Sequence, residues 1–267
     1  MVTIATWNVN SINARSAHLQ AYLARPDAPD ILCLQELKCT TDAFPYSALD
    51  GLGYNHAVHG QKTYNGVAIL SKYPIDEVIT TLPGEGIDHA QARYLEAVIS
   101  LKGEAIRVVS VYVPNGQGIE SDKFTYKKLF LDRLTAHART LLSFKEKLVI
   151  AGDFNVAPTP LDVHDPIQME NQICFHLEER ARIRTLYGMG LTDAYRALHP
   201  QTQAFSWWDY RQGCWPQNKG LRIDYLLLSP EATDCIVEAG IDTSLRGQEK
   251  PSDHTPVWCR IGGRTAP

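Results

Sequence analysis

Leu148-Val149-Ile150-Ala151-Gly152-Asp153-Phe154-Asn155 is a short apolar run that stops abruptly in Gly, Asp and Asn. The run has the length and β-branched content of a buried strand. The residues after it favour turns for backbone reasons, and they are also residues that carry acid–base and ligand chemistry. The same arrangement recurs along the chain. Residues 2–7 run into Asn8 and Asn10, residues 31–34 into Gln35 and Glu36, and residues 106–113 into Pro114 and Asn115. Further strand-like runs cover residues 67–70, 94–101, 223–228, 236–241 and 256–260.

Between the strands lie stretches with a helical rhythm. Over residues 122–144, Phe124, Leu129, Leu131, Leu134, Ala138, Leu141 and Leu142 recur at roughly 3.6-residue spacing. Residues 177–188 end at a glycine suited to a C-cap, and residues 13–24 form a third stretch. Several successive strands are joined by short turns instead of helices. The expected class is therefore mixed α/β, with sheet packed on sheet and helices outside. No Pro/Ser-rich linker, charge block or short-period repeat interrupts residues 1–267, so one domain is the simpler expectation.

Composition narrows the class further. Hydrophobic residues make up 44% of the 267 and charged residues 21%, as in ordinary globular chains. No apolar run approaches the ~20 residues that span a bilayer, and the first eight residues lack the basic and apolar regions of a signal peptide. A cytoplasmic location without a membrane partner is expected. Six cysteines (33, 39, 174, 214, 235 and 259) include no C-x-x-C pair, which argues against structural zinc and suits a reducing compartment. The net charge of −4 is not the basic balance of many nucleic-acid binders. That charge is a sum, however, and a carboxylate cluster that holds a cation hides a local basic surface.

Glu36, Asp153, Asp224 and Asp253 all fall at strand ends, together with asparagines, Tyr112 and His254. Such a set has the chemistry of a hard-cation site, because magnesium takes a few carboxylate oxygens and keeps water and phosphate as its other ligands. Each piece alone has a structural reading: Gln35-Glu36 as a cap, Asp253 as a turn residue after Ser252, Asp224 as a partner of Arg222. Their joint occurrence at successive strand ends, where loops converge, points to a site.

Six segments carry a more specific signal, in this order: Trp7-Asn8-Val9-Asn10, Leu34-Gln35-Glu36-Leu37-Lys38, Tyr112-Val113-Pro114-Asn115, Gly152-Asp153-Phe154-Asn155, Gly220-Leu221-Arg222-Ile223-Asp224-Tyr225 and Lys250-Pro251-Ser252-Asp253-His254. Together they resemble the exonuclease III family of DNA-repair nucleases, within the endonuclease/exonuclease/phosphatase superfamily. The resemblance implies a four-layered α/β/β/α sandwich with two packed mixed sheets and the site at one edge. It implies that Glu36 and Asp253 ligate Mg²⁺ or Mn²⁺, with Asn8 nearby and Asp153, Asn155 and His254 around the same centre. Asp153 would hold or deprotonate the attacking water, Asn155 orient it, and Tyr112 donate to the phosphate or the leaving oxygen. Asp224 and His254 would form a carboxylate–imidazole pair. Asn10 stands where some relatives carry Asp, which leaves the first cluster one charge short.

Superfamily relatives also cleave lipid headgroups and nucleotides, so the substrate rests on segments outside the core. Phe205-Ser206-Trp207-Trp208-Asp209-Tyr210-Arg211, with Gly213-Cys214-Trp215, is dense in aromatic and basic residues. In the family such a loop reaches the minor groove, and Trp207 is expected to cover an unstacked nucleotide. Lys38, Arg93, Asn115 and Arg211, with Lys219 and Lys250, are the expected DNA contacts. The expected partner is double-stranded DNA with abasic sites or blocked 3′ ends, bound by a monomer. The implied reactions are incision 5′ to abasic sites, 3′-phosphatase and 3′-phosphodiesterase activity, and 3′→5′ exonuclease activity.

Overall fold

The computed structural model of the protein describes residues 1–262. The strands are β1 (Val2–Asn8), β2 (Ile31–Gln35), β3 (Asn55–His59), β4 (Val67–Ser71), β5 (Ile75–Ile79), β6 (Tyr94–Leu101), β7 (Glu104–Tyr112), β8 (Lys147–Asp153), β9 (Thr192–Asp193), β10 (Asp224–Leu228), β11 (Ile236–Ile241) and β12 (Val257–Ile261). The α-helices are α1 (Ile12–Leu23), α2 (Asp122–Ser143), α3 (Pro166–Met169), α4 (Leu177–Gly188), α5 (Ala194–Leu198) and α6 (Pro230–Thr233). Nine strands and all three long helices fall where the apolar runs and rhythms place them.

Two six-stranded mixed sheets result, ordered β11-β12-β1-β2-β4-β3 and β5-β6-β7-β8-β10-β9. Each is built on one parallel pair, β1–β2 or β7–β8, and each pair is bridged by a helix, α1 or α2, as a parallel connection requires. Each pair is flanked by one antiparallel pair of strands on either side. The sheets therefore share a connection pattern, but the first sheet draws one of its flanking pairs, β11–β12, from the end of the chain.

The layers follow from which faces are apolar. Ile4, Ile31, Val67, Val108, Val149 and Leu226 fill the space between the sheets. Leu19 and Tyr22 of α1 close the outer face of the first sheet over Trp7, Leu32 and Leu34. Leu131 and Leu134 of α2 and Ile183 and Leu186 of α4 close the second over Val109 and Ile150. The expected four-layered α/β/β/α sandwich is the observed one. Central strands buried on both faces read as continuous apolar runs, which is why they were legible.

β3, β5 and β9 were not expected. β3 and β5 are edge strands: β5 exposes Asp76 and Glu77, and β3 carries Asn55, His56 and His59. Charged and polar edges guard against pairing with other chains and erase the apolar pattern. Pairing runs on to Leu101↔Glu104, so β7 starts earlier than its apolar residues do.

Candidate active site

The C-terminal ends of all four parallel strands meet at one edge, and Asn8, the last residue of β1, ties them together. Its fully buried amide donates to Glu36 Oε1 at 2.9 Å and to Asp153 Oδ2 at 2.9 Å. Carboxylates from different sheets thus share one donor. The Tyr112 hydroxyl donates to the same Glu36 oxygen at 2.9 Å, and Lys38 pairs with the other at 2.8 Å. Glu36 and Lys38 have φ of 52° and 55°, a region that non-glycine residues seldom adopt and that clusters at functional sites. Beneath this floor Gln35 accepts from Thr6 within the first sheet and donates to Ser110 of the second, each at 3.1 Å. Gly152 is obligatory here, since a Cβ would lie 1.9 Å from the Val111 carbonyl oxygen.

Asp153 leaves β8 almost fully buried, opposite Asp224 in the antiparallel register with β10. Asn155 has φ 51°, which asparagine tolerates, and turns its side chain back to donate to Asp153 Oδ2 at 3.3 Å and to the Val113 carbonyl at 3.0 Å. Asn115 donates to Asn155 Oδ1 at 2.9 Å. Asp224 accepts from Ser206 Oγ at 2.6 Å and pairs with His254 Nδ1 at 2.8 Å, leaving His254 Nε2 3.7 Å from Asp153 Oδ2. Ser206 is the site residue that sequence reasoning missed. It lies inside the quoted aromatic segment, flanked by larger residues that drew attention to the loop.

Charge here is set by burial and neighbours. Burial would raise Glu36, but Lys38, the Asn8 amide and His254 outweigh it and hold the carboxyl below its usual value. Asp153 is raised by burial, with Asp224 and Glu36 adding to the effect and His254 opposing it. Burial works against a charged His254, yet Asp224 and Asp153 push it up to about 10. Those two carboxylates favour the protonated ring.

Asp253 stands across the opening. Its oxygens accept from Asn10 Nδ2 at 2.9 Å and Trp207 Nε1 at 3.0 Å, and Asn10 Oδ1 accepts from Lys38 Nζ at 2.5 Å. Isolated bridges from Trp207 to both Leu221 and His254 fix the aromatic loop against the site. Over this floor lies a cleft of about 590 Å³, walled by Trp207, Leu221, Ile223, Met169 and Ile173. Its size suits a small ligand or one nucleotide.

The donor set fits a hard cation. Carboxylate oxygens of Glu36 and Asp153 and a nitrogen of His254 lie within 4.8 Å of one another. His254 is the weakest of the three, because an imidazolium has no lone pair to give. Glu36→Gln should therefore weaken Mn²⁺ binding by roughly 10- to 100-fold, a loss readable by calorimetry without substrate. Unchanged affinity would remove Glu36 from the cation site.

The expected DNA contacts are placed unevenly. Arg93 stacks 4.7 Å from the Tyr112 ring centroid and donates to Gln91 at 2.6 Å. Arg211 is exposed but forked onto Asp209, Lys219 lines the cleft, and Lys250 lies in solvent. Trp208 is 2% exposed and packs edge-on against Trp215 at 4.7 Å, which makes it a core residue; Trp207 faces the cleft.

Arg222 does not pair with Asp224. It is fully buried and paired with Asp162 at 2.7 Å and Asp193 at 2.8 Å, which anchors the segment entering β10. Burial would raise Asp162, but Arg222 and Arg196 hold it below the usual carboxylate value. Its contribution to stability is thus complete at neutral pH and is lost as pH falls through the ordinary value towards the folded one. Asp162→Asn leaves a buried guanidinium short of charge and should cost about 3–5 kcal/mol in urea unfolding at pH 7. A cost below 1 kcal/mol would mean that the network is not anchoring this segment.

Phosphoester hydrolysis needs charge neutralisation, a positioned water and help for the departing oxygen. The Glu36 and Asp153 carboxylates and a carboxylate-backed His254 at one sheet edge are groups of the kind that serve cation-assisted phosphoester hydrolases. The chain belongs to the endonuclease/exonuclease/phosphatase family, whose defining pattern matches residues 5–254. It is 35% identical to exodeoxyribonuclease III of Haemophilus influenzae over 96% of this chain and 98% of that one. A 3′–5′ exonuclease from Neisseria meningitidis shares the fold with a TM-score of 0.93 and 40% identity, over 98% of this chain and 100% of that one. An AP endonuclease from Archaeoglobus fulgidus does so with a TM-score of 0.91 and 36% identity, over 98% and 99%. Among the described residues no helix is long and apolar enough to cross a membrane.

Proposed function

We propose that the protein is a DNA-repair nuclease whose single catalytic domain, acting as a cytoplasmic monomer, incises duplexes 5′ to abasic sites and clears blocked 3′ ends. One observation carries this reading: the Asn8–Glu36–Asp153 lattice lies beside the His254–Asp224 pair beneath a Trp207-walled cleft. It occurs in a chain similar from end to end to nucleases of both kinds.

By the resemblance Glu36 and Asp253, with Asn8 alongside, would hold Mg²⁺ or Mn²⁺, and the group would supply charge neutralisation for phosphoester hydrolysis. Asp153 takes the proton of the attacking water, and its burial keeps it basic enough to do so. Asn155 holds that carboxylate in place through its amide. His254, kept cationic by Asp224, donates from Nε2 to a non-bridging phosphate oxygen. Tyr112 turns its hydroxyl from Glu36 to the phosphate or the leaving oxygen. Trp207, Leu221 and Ile223 receive the unstacked sugar or base, while Lys38, Arg93, Asn115 and Arg211 contact the backbone.

The test uses two labelled duplexes, one with an internal tetrahydrofuran and one ending in a 3′-phosphate, each with Mg²⁺ or EDTA. Metal-dependent loss of both substrates is expected. Removal of the 3′-phosphate alone would restrict the protein to 3′-end processing. Activity on neither, with turnover of a lipid-headgroup or nucleotide phosphoester, would replace this reading with that one.

A further inference from the structure

Behind the cleft, α2 and α4 each bury one charged residue that the chemistry above does not use. Lys127 and Glu179 are both fully buried and form an ion pair. Lys127 Nζ also donates to the main-chain carbonyl of Asn115 at 3.1 Å and to that of Asn155 at 2.7 Å. Three acceptors thus satisfy the three donors of the ammonium. Glu179 in turn accepts from the His176 N–H at 3.2 Å, within the capping box that starts α4.

The two carbonyls belong to the residues whose side chains meet in the cleft. Asn115 donates to Asn155 at 2.9 Å, and Asn155 donates to Asp153 at 3.3 Å. Neither residue lies in a strand. Gly116 and Gln117 follow Asn115 with φ of 93° and 57°, and Asn155 itself has φ 51°. Packing alone does not call for charges here, since a well-packed apolar pair of similar volume usually serves as well as a buried ion pair. What an apolar pair cannot do is hold two carbonyls from separate loops.

We propose that Lys127 is a positioning residue, which clamps the main chain of Asn115 and Asn155 from behind and so fixes the amide lattice around Asp153. The proposal rests on the reading of Asp153 and Asn155 as parts of the reaction site. It places a determinant of rate on the far side of the sheet edge, where no substrate reaches.

The test is the double variant Lys127→Met/Glu179→Leu, which removes both charges and leaves neither stranded. Expected are a folded protein with a lowered melting temperature, since the two carbonyls lose their donor, a kcat on the 3′-phosphate duplex lower by roughly 10- to 100-fold and an unchanged KM. Amide exchange should quicken in peptides covering residues 113–118 and 154–157, with the central strands unaffected. Wild-type kcat in the folded double variant, or unchanged exchange in those peptides, would overturn the clamp. If the double variant does not fold, Lys127→Arg keeps the charge and displaces the donors, and a folded Lys127→Arg protein with wild-type kcat would overturn it equally. Exchange needs no turnover, so it decides the clamp even where wild type cleaves no DNA, a result that would sink the functional reading alone.

Discussion

Asp153→Asn lowers kcat by roughly 10²–10⁴-fold on the 3′-phosphate duplex, the range expected when a positioned proton acceptor is lost. The replacement fills the same volume but cannot take a proton from water. It also turns an acceptor into a donor where Asn8 and Asn155 both already donate, at 2.9 Å and 3.3 Å. Stability should move the other way. Burial raises the Asp153 pKa, so the ionised form is held against its preference at neutral pH, and a neutral amide relieves that cost. Since the folded pKa is raised, the penalty grows as pH climbs above the unfolded value and vanishes in acid. The variant should therefore melt at or above the wild-type temperature at pH 7.5, with the difference shrinking towards pH 4. A variant that lost activity and also melted far lower would point to misfolding and leave the catalytic assignment without support.

The second large effect belongs to the imidazolium. His254→Ala removes a donor aimed at the phosphate and should lower kcat by roughly 10²–10³-fold with little change in duplex affinity. Asp224→Asn tests how that donor is made. Asp224 is the nearest charge to His254 Nδ1, at 2.8 Å, and the leading cause of its raised pKa. Neutralising it lowers the imidazole pKa, so the alkaline limb of the kcat–pH profile should shift to lower pH. If His254 instead served as a neutral cation ligand, the same change would favour its working form, and the limb would stay or move up. The profile therefore separates the two roles the residue type allows.

How much of this was legible depended on where each residue sits. The central strands could be read because they are buried on both faces, and the site because its members end those strands. Edge strands such as β5 could not, since their exposed charges mimic a loop. Asp153 and His254 declared themselves through neighbours in sequence, Gly152 and Asp253. Lys127 did not, because its partners Asn115, Asn155 and Glu179 converge only once α2 has packed on α4 behind β8. The structural alternative for Asp224, a pairing with Arg222, does not occur for a related reason. Arg222 lies two residues before Asp224, but its charge is met by Asp162 and Asp193, which are distant in sequence. The connection pattern shared by the two sheets shows only in the strand pairing, where β12 joins β1.

The most direct measurement follows a single duplex carrying one tetrahydrofuran residue, labelled at its 5′ end, with excess enzyme and a titration of Mg²⁺. Incision immediately 5′ to the lesion, rising with Mg²⁺, abolished by EDTA and absent in Asp153→Asn, is the predicted result. An intact duplex at every metal concentration, or incision that survives both EDTA and the variant, would contradict the assignment of this cleft as a cation-dependent abasic-site nuclease.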